Sequence, residues 1–171
     1  MLAVVVLVGV AACAASNGGA PPCSAGQRLA LVAQSVPGAS YVPCVADLAP
    51  GWTSGGFKAA RGFSRFRLLS DRARGRPVRV ELTSACDVSG AVPTTPRAEG
   101  VRTYVLLRSI SPRYAGELRD VFPGGCVTYR FDFERGPHIA LMEELKGTVE
   151  LFSRRQLRLE LHQDLGVDLD P

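Results

Sequence analysis

The stretch Cys126-Val127-Thr128-Tyr129-Arg130-Phe131-Asp132-Phe133 decides the fold. Val127, Tyr129, Phe131 and Phe133 share one face, and Thr128, Arg130 and Asp132 the other. This period-two alternation marks a strand with one side buried. The same pattern recurs upstream. Over 63–69, Phe66 and Leu68 oppose Arg65 and Arg67. Over 78–84, Val78, Val80 and Leu82 oppose Arg79, Glu81 and Thr83. A Val- and Leu-rich run over 101–110 reads as a further strand. Polar or Gly/Pro-rich segments at 70–77, 87–100 and 124–125 separate the strands as turns and loops. Residues 112–123 read as a connection without a clear type. Upstream, 27–36 has no decisive pattern, and 44–48 reads as one helical turn stopped by Pro50-Gly51.

After Gly136-Pro137 the period changes to about 3.6. Leu141, Met142, Leu145, Val149 and Phe152 fall at helical spacing. Ser153 with Gln156 has the form of a capping box that opens a second helix, striped by Leu157, Leu161 and Leu165. Gly166 stands where a left-handed C-cap is required. Strands followed by terminal helices predict an α+β domain over 27–171, with an antiparallel sheet of about four strands covered on one face by the C-terminal helices.

The chain has 171 residues, 46% hydrophobic and 21% charged, which fits one folded domain and excludes a disordered chain. Its single long apolar run, 1–12, is too short to span a bilayer and excludes a multi-span membrane protein. That run reads as the apolar core of a signal peptide, and its missing positive flank points to a natural start upstream. Val10-Ala11-Ala12-Cys13 has the form of a lipobox, so Cys13 is the expected lipid attachment site. Ala12-Cys13-Ala14 also fits plain cleavage and secretion. Residues 13–26, small and polar, read as a flexible tether.

Removing Cys13 from the thiol pool leaves Cys23, Cys44, Cys86 and Cys126. Outside the cytoplasm four cysteines point to two disulfides, with three possible connectivities. Their wide spacing argues against zinc. If strands 78–84 and 126–133 are antiparallel neighbours, Cys86 and Cys126 come to bridging distance, which leaves Cys23 with Cys44.

Few residues carry the signature of chemistry. His138 and His162 lie 24 apart without a metal-ligand pattern, Glu143 and Glu144 point apart on a helix, and the nucleophile, phosphate-loop and dinucleotide motifs are absent. The expected role is non-catalytic: an exported, membrane-anchored domain that binds an envelope protein or an anionic polymer, with no cofactor and no metal. The unusual feature is basic: 58–79 holds eight Lys and Arg against Asp71, in a chain of net charge +4. Arg65, Arg67, Arg72, Arg74, Arg76 and Arg79 are the expected contacts to an anionic surface, a membrane or an envelope polymer. The bland reading is a solvated face in an arginine-biased composition. A modest net charge without aromatic or zinc-finger signatures argues against nucleic acid. The competing functions are an exported hydrolase with a site assembled from distant residues, and a carrier of a small apolar ligand.

Ser70-Asp71-Arg72-Ala73, Cys86-Asp87-Val88-Ser89-Gly90-Ala91 and Phe122-Pro123-Gly124-Gly125-Cys126-Val127-Thr128-Tyr129-Arg130-Phe131 together resemble a family of exported actinobacterial proteins of the lipoprotein type, whose function is unknown. Pro43-Cys44 and Gly51-Trp52 are similar to it as well, so the resemblance spans the last three quarters of the chain. Arg74 stands here before Gly75, where the family has glycine directly. The resemblance implies an envelope address and paired cysteines, and transfers no catalytic residue.

Overall fold

The computed structural model describes residues 18–169. In chain order its elements are α1 (Gln27–Ser35), β1 (Tyr41–Val45), β2 (Trp52–Ala60), β3 (Phe63–Ser70), β4 (Gly75–Thr83), β5 (Val92–Thr94), β6 (Arg102–Ser109), β7 (Tyr114–Phe122), β8 (Gly125–Phe133), α2 (His138–Thr148), β9 (Val149–Ser153) and α3 (Arg154–Leu165). The class is α+β and the sheet antiparallel. The sheet has seven strands rather than about four, in the order β2-β3-β4-β8-β7-β6-β5, and β1 pairs with β9 in a separate ribbon. No helix among the described residues is long and apolar enough to cross a membrane.

The alternation read in the sequence places one row of side chains directly across five strands: Phe66, Val80, Tyr129, Leu118 and Val105. This inner face joins Leu29 and Val32 of α1, Leu141 and Leu145 of α2, and Leu157 and Leu161 of α3 in one buried cluster. Each such side chain contributes about 1.5–3 kcal/mol when withdrawn from water. The helices and the ribbon thus form a second layer on one face of the sheet.

Three expectations need correction. The helical stripe from Leu141 to Phe152 stops at Thr148, and Val149–Ser153 is a strand paired with Tyr41–Val45. Gly147 and the β-branched Thr148 and Val149 weaken helix there, and the ribbon satisfies both backbones. The same pairing makes 44–45 strand rather than a helical turn. Ser153 does precede α3, but its side chain makes no capping bond, and Gln156 instead donates to Glu160 at 2.9 Å. The other end forms as read: Gly166 is left-handed at φ 63°, and the Val167 N–H returns to the Leu161 carbonyl.

The tether expected over 13–26 is also altered. Residues 13–17 and Cys13 lie outside the described residues. From Gly18 onward the chain is fixed. The Val45 N–H donates to the Pro21 carbonyl at 2.8 Å, the Cys23 N–H donates to the Val45 carbonyl at 3.0 Å, and Ala20 is buried. The edge of β1 left open by β9 supplies those partners.

Candidate functional site

Both cysteine pairs are bridged. Thr83 of β4 lies opposite Cys126 of β8, which brings Cys86, just past the end of β4, to a Cα–Cα distance of 5.8 Å from Cys126. Cys23 and Cys44 are bonded with Cα atoms 4.9 Å apart. Two disulfides mark the chain as extracytoplasmic.

The inner row of side chains has an outer counterpart one residue along each strand. Arg67, Arg79, Arg130 and Glu117 stand side by side on β3, β4, β8 and β7. The helices of the described residues lie on the other face, so Arg67, Arg79 and Arg130 reach solvent while Glu117 stays buried beside them. It runs through a groove of about 420 Å³, lined by Arg67, Arg76, Arg79, Arg108 and Arg130 with Glu117 and Asp132. A bulge between Arg76 and Arg79 and another between Leu107 and Ser109 lie in its walls. Such bulges bend strands locally and re-aim side chains.

Glu117 organises the floor. Its side chain is only 5% exposed, and it takes Arg108 and Arg119 at 2.6 Å and Arg130 at 3.5 Å. Burial pushes its carboxyl up, but the Arg119 hydrogen bond and the charges of Arg119, Arg130 and Arg108 outweigh this and hold it below the ordinary carboxylate range. Arg130 also reaches Glu81 at 3.0 Å, and Asp132 holds Arg113 closely and Arg76 at 3.9 Å. Arg67 and Arg79 have no carboxylate partner among the described residues.

The six expected surface arginines therefore divide. Arg67, Arg76 and Arg79 meet in the groove. Arg65 lies on the same outer face with its guanidinium 5.6 Å from the Phe63 ring centre. Arg74 is exposed on the β3–β4 turn, outside the groove lining. Arg72, though exposed, is committed to α2: it forks onto Glu144 and donates to the Pro50 carbonyl at 3.0 Å. The Trp52 indole N–H donates to the same carboxylate at 2.7 Å, and these donors, Arg72 foremost, hold Glu144 below its usual range.

Arg108, Arg130, Glu117 and Asp132 were not singled out from the sequence. Arg130 and Asp132 are legible as outward on β8, and the expected Cys86–Cys126 bridge sets β8 beside β4, but nothing local tells that β7, with Glu117, lies on its other side. Among the described residues no three His, Cys, Asp or Glu side chains group as a metal site. His138 stacks on Tyr114 at 5.3 Å between ring centres, and His162 meets Asp168 at 3.0 Å. No protein-family model, curated protein or solved structure matches the chain.

Proposed function

We propose that the protein is an exported, non-catalytic domain, held at the membrane by a lipid on Cys13, that binds an anionic envelope partner through the outer face of its sheet. The observation that carries this reading is the row Arg67, Arg79, Arg130 on the uncovered face, with its first two members lacking a carboxylate. Like charges placed directly opposite across strands are destabilising, each pair by a fraction of a kcal/mol up to about 1. An anion laid across them removes that cost.

Binding is favoured over hydrolysis by the state of the groove's acids. Glu117 is held ionised by three arginines, which makes it a poor proton donor, and Asp132 is occupied by Arg113 and Arg76. An apolar carrier needs a cavity between sheet and helices, but Phe66, Leu68, Tyr129, Leu141 and Leu145 fill that space, each fully buried.

The anchor is tested by Cys13→Ala and cell fractionation. The variant is expected to leave the membrane fraction, and a variant that stays membrane-bound and is processed normally overturns the lipid assignment. The face is tested with the unlipidated Cys13→Ala chain and vesicles of phosphatidylglycerol or phosphatidylcholine. Each basic side chain near an anionic surface adds about 1 kcal/mol, within a Debye length of about 8 Å at physiological salt. Binding is expected to the anionic vesicles only and to fall as salt rises. Equal binding to both vesicle types, or indifference to salt, leaves the arginines as a solvated face.

A further inference from the structure

Resting on the reading of the outer face as anion-binding, we propose that the groove receives one discrete phosphomonoester group, borne by a sugar or a lipid headgroup, with Arg67 and Arg79 as its primary forks. Size supports a discrete group. A volume of about 420 Å³ suits a sugar phosphate or headgroup, where a flat charged face would serve a polymer without any groove.

Charge and geometry select the chemistry. A carboxylate can accept from several arginines at once, as Glu117 does, but it brings only a single negative charge. The carboxylates that fit such forks are already built in as Glu117 and Asp132. Arg67 and Arg79 are direct cross-strand partners, and Arg130 follows on the next strand. Arg67 and Arg79, without a carboxylate partner among the described residues, carry two positive charges that a single carboxylate would only half neutralise. A phosphomonoester offers three terminal oxygens and a charge of about −1.5 to −2 near neutrality. Five arginines against two acids in the lining leave cationic excess to match it.

The site is also preorganised. The nearly buried Glu117 draws Arg108 and Arg130 to the far wall, so these two guanidiniums are oriented before any ligand arrives, which lowers the ordering cost of binding. Arg76, 83% exposed and only loosely held by Asp132 at 3.9 Å, stands at the rim where it can turn onto a bound anion.

The test titrates glucose 1-phosphate into the full-length Cys13→Ala chain by calorimetry, with acetate at matched ionic strength as the comparator. Saturable binding of glucose 1-phosphate is expected, with acetate at least tenfold weaker. Arg67→Gln with Arg79→Gln is expected to weaken glucose 1-phosphate by about tenfold or more, while Arg74→Gln stays within about twofold. Because the double variant removes like-charge repulsion, its Tm without ligand is expected to rise by about 1–3 °C, which separates lost binding from lost folding.

A parallel arm uses phosphatidylcholine vesicles carrying phosphatidic acid or, at matched charge, phosphatidylglycerol. A preference for phosphatidic acid that the double variant abolishes assigns the group to a lipid. Equal vesicle binding with retained glucose 1-phosphate binding assigns it to a soluble or sugar-borne phosphate. No saturable binding of glucose 1-phosphate, acetate binding as tight, or an unchanged double variant overturns the groove proposal. If anionic vesicles still bind in a salt-dependent way in that case, the broader reading of the face survives. If glucose 1-phosphate binds but anionic vesicles bind no better than neutral ones, the groove stands and the membrane-facing reading falls.

Discussion

Arg97→Ala is expected to cost about 3–5 kcal/mol of unfolding free energy, the loss typical when one member of a buried ion pair is removed. Arg97 lies in the connection between β5 and β6, yet its side chain is only 12% exposed. One guanidinium nitrogen donates to Asp120 at 2.9 Å. The other donates to the Lys146 carbonyl at 2.7 Å and closely to that of Val149. The Tyr129 ring lies beneath, 5.0 Å away. Asp120 is fully buried on the inner face of β7, and its second oxygen accepts from Thr103 at 2.7 Å. One side chain thus ties a loop to the sheet and to the end of α2, where carbonyls lack helical partners. Its removal leaves a buried carboxylate without its charged partner. Urea unfolding measures the loss, and a cost below about 1 kcal/mol contradicts this account. Arg97→Met combined with Asp120→Leu is expected to recover most of the loss, since an apolar pair of similar volume leaves no unpaired charge.

The disulfides carry the second large effect. In the chain-entropy account the closed loop sets the gain. A separation of 40 residues for Cys86–Cys126 corresponds to about 4 kcal/mol. A separation of 21 for Cys23–Cys44 corresponds to about 3 kcal/mol. Paired Cys→Ala variants are expected to lose these amounts, with the longer loop costing more. Peptide mapping without reduction is expected to recover Cys23 with Cys44 and Cys86 with Cys126. A Cys44–Cys126 peptide overturns both assignments.

Three of the strands legible in the sequence alternate by polarity, and the fourth, β6, shows only as a Val- and Leu-rich run. In β3, β4 and β8, hydrophobic residues meet the helices and arginines meet water. β7 hides because Glu117 and Asp120 are buried on opposite faces, each stabilised by arginines from elsewhere, so its hydrophobicity does not alternate. β2 hides because Ser54, Gly55 and Gly56 interrupt it at a bulge. β9 hides because Val149 and Phe152 continue the spacing of α2, while its partner lies about a hundred residues earlier. The groove was half legible for a related reason. Arg67 and Arg79 come from a local hairpin, whereas Arg108, Arg130 and Glu117 join them only through the insertion of β8 between β4 and β7.

The distinctive strings proved to be joints of the fold. In Phe122-Pro123-Gly124-Gly125-Cys126 the turn between β7 and β8 docks on Gly38. Gly124 adopts φ 71°, and a side chain there would strike the Gly38 backbone. The Pro123 carbonyl accepts from Ser40, and the Phe122 ring meets Tyr41 edge to face. Ser70-Asp71-Arg72-Ala73 and Gly51-Trp52 converge on Glu144 of α2. In Cys86-Asp87-Val88-Ser89-Gly90-Ala91 the Asp87 side chain accepts from the Ser89 N–H, and Arg119 grips the Asp87 carbonyl.

The Cys23–Cys44 bridge sits where the chain enters the fold, and this fixes how the domain bears mechanical load. Tension on the N-terminal segment first meets the few hydrogen bonds of residues 18–22, which can peel away singly. It then meets a covalent bond that bypasses α1 and delivers the pull to β1. β1 is paired with β9 along all five of its residues, so the force is shared among several bonds. Of the seven-stranded sheet, the segment before the bridge touches only the edge strand β2, at Ser54 and Phe57 among the described residues, and the arginine row stands on the strands further in. Once those single contacts part, drag on the N-terminal segment is carried through the bridge into the ribbon rather than into the strands that bear the arginine row.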